Sequence, residues 1–190
     1  MYSAIPGGGW FCVTFINYED RSNEIVIVNN RDELIDFYNK HKDDIFISYN
    51  GRQYDTGIFK GILDGMNVGY VNDKLIKEGK KPFQVVKNAK NYPLNDYDAI
   101  LKDKSLKQLE AFMGDDIRET EVDFNIDRPL TDEEIRQTLY YNRHDVIEVL
   151  RVLDYCWDDF EGQLDIIELY GLDMSYFTKT KVQLAVSPKI

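Results

Sequence analysis

Cysteine is scarce in this sequence, and its scarcity limits both the compartment and the chemistry. Only Cys12 and Cys156 are present, far apart in the chain and each inside an apolar pattern. Small secreted domains held by disulfides carry many more cysteines at closer spacing. The pair therefore predicts two reduced, buried cysteines of an intracellular protein, and a disulfide or a metal role is the minority interpretation.

Long apolar runs are also missing. No stretch approaches the roughly 18 apolar residues that a membrane-spanning helix requires. The amino terminus lacks the basic stretch followed by an apolar one that marks a secretory leader. We expect no membrane association and no export.

Positive charge is in deficit, because 23 lysines and arginines face 34 aspartates and glutamates, for a net charge of -11. This balance argues against a protein that holds nucleic acid by charge neutralisation alone. It permits an enzyme whose acidic site recruits divalent cations that then meet the phosphate. A surface that imitates or repels DNA, or plain solubility, also agrees with it.

What the sequence does contain predicts one mixed α/β domain of 190 residues, 43% of them hydrophobic. Runs 10–16 and 24–30 predict an antiparallel hairpin, and the nearly continuous apolar run 43–50 predicts a strand in the middle of a largely antiparallel sheet. A further strand is expected over 95–101. Helical spacing predicts helices over 31–41, 55–66, 71–79, 105–114, 131–160 and 161–171.

The first candidate site is the stretch SYNGRQYD, residues 48–55. A strand ends at Asn50 and Gly51, and Asp55 opens the next helix. A carboxylate there lies beside helix amides at the carboxyl end of a strand, where open α/β sheets often bind ligands. The alternative is that Asp55 is a helix N-cap and that Asn50-Gly51 is only a turn.

The second candidate site is YYNRHDV, residues 140–146, inside the long predicted helix. Tyr141 and Asp145 are four residues apart and therefore project from one face. Such a pair places a carboxylate and a phenol over one reacting water, unless it is only a solvated surface pair. His144 projects elsewhere on the helix and is interpreted as a surface residue.

Together these stretches resemble the 3′–5′ exonuclease domain of phage family B DNA polymerases, a ribonuclease-H-like domain of the DEDD class. YNGRQYD resembles the second motif of that family, and YNRHD resembles the Tyr-x-x-x-Asp third motif of its tyrosine subclass. SLKQL, residues 105–109, resembles the motif that contacts the single-stranded 3′ end. Order and approximate spacing agree from about residue 10 to 185, so the resemblance implies a mixed sheet flanked by helices.

The resemblance also implies an activity, a cofactor and a partner. Two divalent cations, Mg²⁺ or Mn²⁺, would hydrolyse the terminal phosphodiester of a DNA 3′ end. By position, Asp55 and Asp145 would bind metal and Tyr141 would orient the attacking water. Contacts to the terminal nucleotides would come from Asn50 with Gly51 and from Ser105 and Leu106. Lys107 would reach a phosphate, or it is equally a solvated lysine. The implied location is the cytoplasm of a phage-infected bacterium.

The first motif of that family, Asp-x-Glu on the first strand, has no counterpart here. No Asp or Glu precedes Glu19. Depending on register, Ala4 and Pro6 or Met1 and Ser3 occupy its positions. Glu19 and Asp20 belong to the hairpin loop, at the far end of the strand that starts near Trp10, so we do not expect them to substitute. With half of the four carboxylates missing, we expect weak or absent hydrolysis.

Three interpretations therefore stay open. The chain is an exonuclease domain with an impaired site, engineered or naturally shortened, either free-standing or a fragment of a larger phage polymerase. It is instead a non-catalytic pseudo-exonuclease that binds nucleic acid or inhibits a host protein. Or it is a purely structural domain of a polymerase. The oligomeric state is not predicted.

Overall fold

The computed structural model describes residues 2–4, 9–99, 106, 108, 128–179 and 183. Strands β1 (Tyr2–Ala4), β2 (Phe11–Ile16) and β3 (Glu24–Val28) form an antiparallel ladder in that order. Strands β4 (Ile45–Ser48) and β5 (Asn95–Asp98) form a second, parallel ladder. The mixed α/β class and the antiparallel hairpin are confirmed.

The α-helices of the described chain surround these ladders. They are α1 (Arg31–His41), α2 (Asp55–Leu63), α3 (Val68–Ile76), α4 (Pro82–Val85), α5 (Asp132–Tyr155) and α6 (Trp157–Leu169). Short 3₁₀ turns lie at Gly51–Gln53, Ala89–Asn91 and Met174–Thr178. Helix α5 packs against β1, β2 and β4, and α2 packs against β1 and α3.

Local capping explains where the helices begin. At α1, the side chain of Asn30 accepts a hydrogen bond from the Glu33 amide. At α5, Thr131 and Glu134 form the capping box that the sequence predicts, because each side chain bonds the backbone amide of the other. These bonds satisfy amides that a helix leaves without internal partners.

The core consists of two hydrophobic clusters. The first lies between β2, β3 and helices α1 to α3, and it contains Ile27, Leu34, Ile58 and Phe59, each at most 1% exposed. The second joins β4 and β5 to α5 and α6 through Val152, Leu153, Phe160 and other residues. Cys12 and Cys156 are both buried, as the sequence predicts, and no disulfide joins them.

The long helix predicted over 131–160 is in fact two helices. Helix α5 ends at Tyr155, and the Cys156 amide bonds the carbonyl oxygens of both Val152 and Leu153. The apolar period continues through this junction, so the sequence carries no local stop signal. The turn instead coincides with a distant contact, since the Trp157 ring stacks on Tyr18 with centroids 4.8 Å apart.

Other boundaries also differ from the predictions. Helix α2 ends at Leu63 rather than at residue 66. Gly65, two residues after this end, has a φ of +75°. Strand β4 pairs with β5, and among the described strands it has no second neighbour, although a central position was expected. Of the helix predicted over 105–114, residues 106 and 108 are helical and the others lie outside the described residues.

Across the described stretches, no helix is both long enough and apolar enough to cross a bilayer.

Candidate functional site

Asp55 lies at the carboxyl edge of β4, at the first position of α2. The chain leaves β4 at Ser48, and Asn50 then adopts a left-handed conformation with φ of +55°. Gly51 opens the 3₁₀ turn that leads into α2. Asp55 is 8% exposed. The N-cap residue of α2 is Tyr54, so the alternative interpretation of Asp55 as the N-cap is wrong.

Gly51 is required here by close packing. A Cβ at this position would lie 2.1 Å from Ser48 Oγ and 3.3 Å from Asp55 Oδ2. The first distance is far below a van der Waals contact, so any larger residue would displace the end of β4. Glycine therefore allows the turn to pass directly beside the Asp55 carboxylate.

Two further carboxylates stand at this edge, on β5. Asp96 and Asp98 project from the same face of the strand because they are two residues apart. Asp98 Oδ1 accepts hydrogen bonds from the Gly51 amide at 2.7 Å and from Ser48 Oγ at 3.2 Å. Asp98 therefore holds the turn that precedes Asp55.

Arg52 provides the positive charge next to these carboxylates. Its Nε lies 3.6 Å from Asp96 Oδ2 and 3.9 Å from Asp98 Oδ2. Its Nη2 also donates to the backbone oxygens of Asp96 and Phe177, at 2.5 and 3.0 Å. One guanidinium thus connects the edge of β5 with the 3₁₀ turn at Met174–Thr178.

Burial controls the ionisation of this network. Removal from water raises the pKa of Asp96, and the neighbouring Arg52 opposes the rise. Burial also lowers the pKa of Lys60, one helical turn after Thr56, while Asp96 counteracts that effect. Thr56 Oγ1 donates to Asp96 Oδ2 at 3.1 Å. The edge is a partly dehydrated acidic site with basic groups beside it.

The second group of predicted residues lies on α5. Tyr141 and Asp145 are both half-buried, so they are not a fully solvated surface pair. The Tyr141 ring meets that of Tyr140 edge-on, with centroids 5.6 Å apart. His144, interpreted from sequence as a surface residue, is half-buried, and its Nε2 is enclosed with no hydrogen-bond partner in the described chain.

Glu148 shares the side of α5 that carries Tyr141 and Asp145, because the three lie at spacings of four and three residues. It is 1% exposed, and its Oε1 accepts a hydrogen bond from Arg151 at 3.0 Å. A carboxylate this deeply buried is rare. Sequence reasoning missed Glu148, and the available signal was its position three residues after Asp145.

The structure brings some of the predicted residues together. Gly51 and Asp55 meet at one edge of β4, and Asn50 lies in the same turn. Tyr141 and Asp145 lie on α5, a helix that packs on β4 and β1. Leu106 is half-buried against the second core cluster. Ser105 and Lys107 lie outside the described residues.

The described side chains do not form a metal cage. Within the ranges that the structure covers, no three or more His, Cys, Asp or Glu residues are grouped as metal ligands. Asp55 and Asp145 offer the hard oxygen donors that Mg²⁺ and Mn²⁺ prefer. A two-metal centre needs more carboxylates than this pair supplies, so the donor set does not fit such a centre.

Comparisons with known proteins add no relative. No family model, curated protein or solved structure matches this chain.

Proposed function

We propose that this protein is a ribonuclease-H-like, exonuclease-type domain that binds the single-stranded 3′ end of DNA and hydrolyses it weakly or not at all. The observation that carries the proposal is the buried Asp55, held beside Gly51 at the carboxyl edge of β4. This edge is where sheets of this class bind their ligands. The implied setting is a phage polymerase, or a fragment of one, in the cytoplasm of a bacterial host.

The placement of α5 supports the same proposal. Its half-buried Tyr141 and Asp145 occupy one face of a helix that packs on β4. In the proposed role, Asp145 and Asp55 flank the terminal phosphate and the Tyr141 hydroxyl orients a water toward it. Asn50 is exposed at the tip of the turn, where it is accessible to a nucleotide.

Weak hydrolysis follows from the donors that are missing. The chain has no Asp or Glu before Glu19, and Ser3 and Ala4 occupy β1, where a first carboxylate pair would stand. Met1 and Pro6, the other candidate positions, lie outside the described residues. Mg²⁺ or Mn²⁺ bound by Asp55 and Asp145 would supply a Lewis acid, but we derive no metal-dependent step from so incomplete a donor set.

The test of hydrolysis uses a 5′-labelled single-stranded DNA with Mg²⁺ or with Mn²⁺. We expect little or no shortening from the 3′ end. Robust trimming that Asp145→Ala abolishes and the exposed control Asp158→Ala retains would contradict weak hydrolysis, and would show that other residues replace the missing pair.

The test of binding compares two matched asparagines. Asn50 and Asn29 are both exposed and both left-handed, with φ of +55° and +47°. An Asp tolerates this conformation, so each Asn→Asp change adds one negative charge at low structural cost. We expect Asn50→Asp to weaken the binding of labelled single-stranded DNA about tenfold, and Asn29→Asp to leave it nearly unchanged. Equal effects of the two changes would refute a DNA site at Asn50.

A protein-binding role is the second candidate. Ile76 and Phe83, on either side of one loop, are 64% and 75% exposed, and the net charge of -11 disfavours DNA. Absence of any affinity for DNA, together with tight binding of a host protein that Phe83→Ser weakens, would support this role over the first.

A further inference from the structure

A cavity of about 570 Å³ separates the two strand ladders. Four successive residues of the β2 strand and its end, Thr14–Asn17, line one side of it, and the whole of β4, Ile45–Ser48, lines the other. Successive side chains of a strand point to opposite faces of the sheet. A cavity bordered by four in a row therefore runs along the edge of the strand rather than over one face. We call this space the strand slot.

Both borders of the slot are strand edges. Strand β3 accompanies β2 from Cys12 to Ile16, but β1 accompanies it only from Phe11 to Val13. In the described chain, no strand continues β1 beside Thr14 and Ile16. On the other side, β4 has β5 along one edge and the slot along the other. Strand edges carry backbone donors and acceptors that pair readily with a further strand.

The two edges accept one strand in one direction. The slot reaches Asn17 and Glu19, just after β2 ends, and also Asp43 and Asp44, just before β4 begins. The end of β2 and the start of β4 therefore lie at the same mouth. A strand that enters there would run antiparallel to β2 and parallel to β4, in line with β1.

Both faces of the slot carry large apolar side chains, and Asp55, Thr56 and Asp96 of the candidate site line it as well. One face carries the rings of Phe37, Phe46 and Phe59, and Phe15 stacks on Phe37 with centroids 4.0 Å apart. The opposite face carries aliphatic side chains of α5, including Val146 and Leu150. Strands covered by helices on both faces are typically continuous hydrophobic runs. The slot therefore suits a strand without alternating polar residues.

Charge and hydrogen bonding define the occupant further. Among the described residues, Glu19, Asp43 and Asp44 outnumber the basic side chain at the mouth, His41, which bonds Asp44 at 2.8 Å. This acidic surplus favours a basic residue at the amino end of an entering strand. Inside the slot, the Thr14 side chain is 1% exposed, and its Oγ1 has no hydrogen-bond partner within the described residues. A buried hydroxyl without a partner is costly, and a peptide backbone in the slot would provide one.

We infer that the strand slot binds an extended apolar strand of another polypeptide, about as long as β4, with a basic residue at its amino end. The bound strand would join the two ladders into one mixed sheet by β-augmentation. The slot borders Asp55 of the proposed nuclease-type site. Strand binding nevertheless requires neither DNA nor metal, so peptide binding and DNA binding are measured separately and can fail separately.

The test uses a fluorescent peptide, Lys-Lys-Val-Val-Ile-Val-Thr, and fluorescence anisotropy. Its matched control, Lys-Lys-Val-Pro-Ile-Val-Thr, lacks a central backbone donor and cannot extend a ladder. We expect saturable binding of the first peptide and binding about tenfold weaker for the second, since the proline removes one ladder donor and leaves its acceptor on the slot edge unpaired. No binding, or equal binding of both peptides, would overturn the inference.

Hydrogen exchange on the unaltered protein locates the peptide. Binding in the slot slows amide exchange over residues 14–17 and 45–48. Protection confined to other segments would place the peptide elsewhere and refute the inference. This measurement needs no variant, so it decides the question even if slot variants fail to fold.

A matched pair of variants on α5 tests the wall. Leu150→Lys puts an amine into the slot and is expected to abolish peptide binding. Tyr155→Lys makes the same change at a 70% exposed position on the same helix and is expected to retain it.

Two other outcomes would each overturn the assigned occupant. If a dimer forms without peptide and Leu150→Lys dissociates it, the slot binds a second copy of this chain. If amide exchange at the slot residues slows only when the peptide is fused before Met1, the slot binds a strand of the same chain.

Discussion

Gly51 is the residue on which the geometry beside Asp55 depends most directly. Its missing side chain lets the turn pass against Ser48, and its amide donates to Asp98 at 2.7 Å. A single residue therefore contributes both the space and the hydrogen bond that position the start of α2. Substitution at Gly51 should affect the fold and the site together.

We predict that Gly51→Ala destabilises the protein by about 1–3 kcal/mol, because the new methyl group overpacks the turn. Urea unfolding followed by circular dichroism measures the change. The control is Gly162→Ala in α6, where no atom lies within 4 Å of an added Cβ. That change should stabilise by about 0.5–1 kcal/mol, because alanine favours a helix interior. Equal stabilities for the two variants would contradict the packing argument.

At the scale of elements, the start of α5 depends on charge. Glu134 accepts two hydrogen bonds from Arg128, at 2.7 and 2.9 Å, and also completes the capping box with Thr131. These bonds lower the pKa of Glu134 to about 2, with Arg128 as the largest cause. The folded protein thus keeps this carboxylate ionised at a pH where an unfolded chain protonates it.

We predict that acid loosens the first turn of α5. Because the folded pKa lies below the ordinary value of 4.5, the contribution of Glu134 to stability is complete above about pH 4.5 and disappears as the pH falls toward about 2. Carboxyl-carbon NMR should report Glu134 titrating near pH 2, and Arg128→Ala should move that midpoint upward.

The neighbouring pair of Arg136 and Glu133 provides the control for this titration. Arg136 lowers the pKa of Glu133 in the same way, one residue earlier in the helix. Arg136→Ala should therefore raise the midpoint of Glu133 and leave that of Glu134 near its original value. A shift of Glu134 in the Arg136 variant but not in the Arg128 variant would show that the cap is assigned to the wrong arginine.

Elements also show what the sequence can and cannot predict. Helix α1 is predicted over 31–41 and found at Arg31–His41, because its apolar spacing and its Asn30 cap are local signals. The break at Cys156 is missed, because it coincides with the stacking of Trp157 on a residue of the β2–β3 loop, far away in the chain. Local patterns reveal where an element begins more reliably than they reveal where tertiary contacts interrupt it.

The same distinction applies to the candidate site. The position of Asp55 between a strand and a helix follows from the pattern of neighbouring residues. The partners Asp96 and Asp98 are more than 40 residues away, and the pairing of β4 with β5 alone brings them to Gly51 and Thr56. Glu148 is missed for another reason, since its spacing marks a helix face but does not reveal its burial.

At the scale of the whole molecule, like charge opposes compactness. The net charge is -11, and α6 alone carries an exposed acidic stripe of Glu161, Asp165 and Glu168. These residues lie four and three positions apart, so they repel one another along one side of the helix. They also extend toward the negative end of the helix dipole.

We predict that added NaCl raises the melting temperature, because salt shortens the range of charge repulsion from about 10 Å at 0.1 M to about 3 Å at 1 M. Changing the three stripe residues to Gln, Asn and Gln should stabilise the protein by roughly 1 kcal/mol, or about 2–4 °C, at low salt. Differential scanning calorimetry at several salt concentrations measures both effects. A variant whose melting temperature keeps the full salt dependence of the parent would show that the stripe is not a source of the repulsion.

The turn at Asn50-Gly51 has a consequence for the chemical ageing of the protein. Asn-Gly is the dipeptide in which the backbone nitrogen of glycine most readily attacks the preceding amide side chain, forming a succinimide and then aspartate or isoaspartate. Here the Gly51 N–H is held by Asp98, and Asn50 is fixed with φ of +55°. The fold therefore restrains the attacking atom, and deamidation at Asn50, followed by mass spectrometry, should proceed mainly from molecules in which this turn has opened. The rate of deamidation at Asn50 therefore reports how often the turn at the edge of β4 opens.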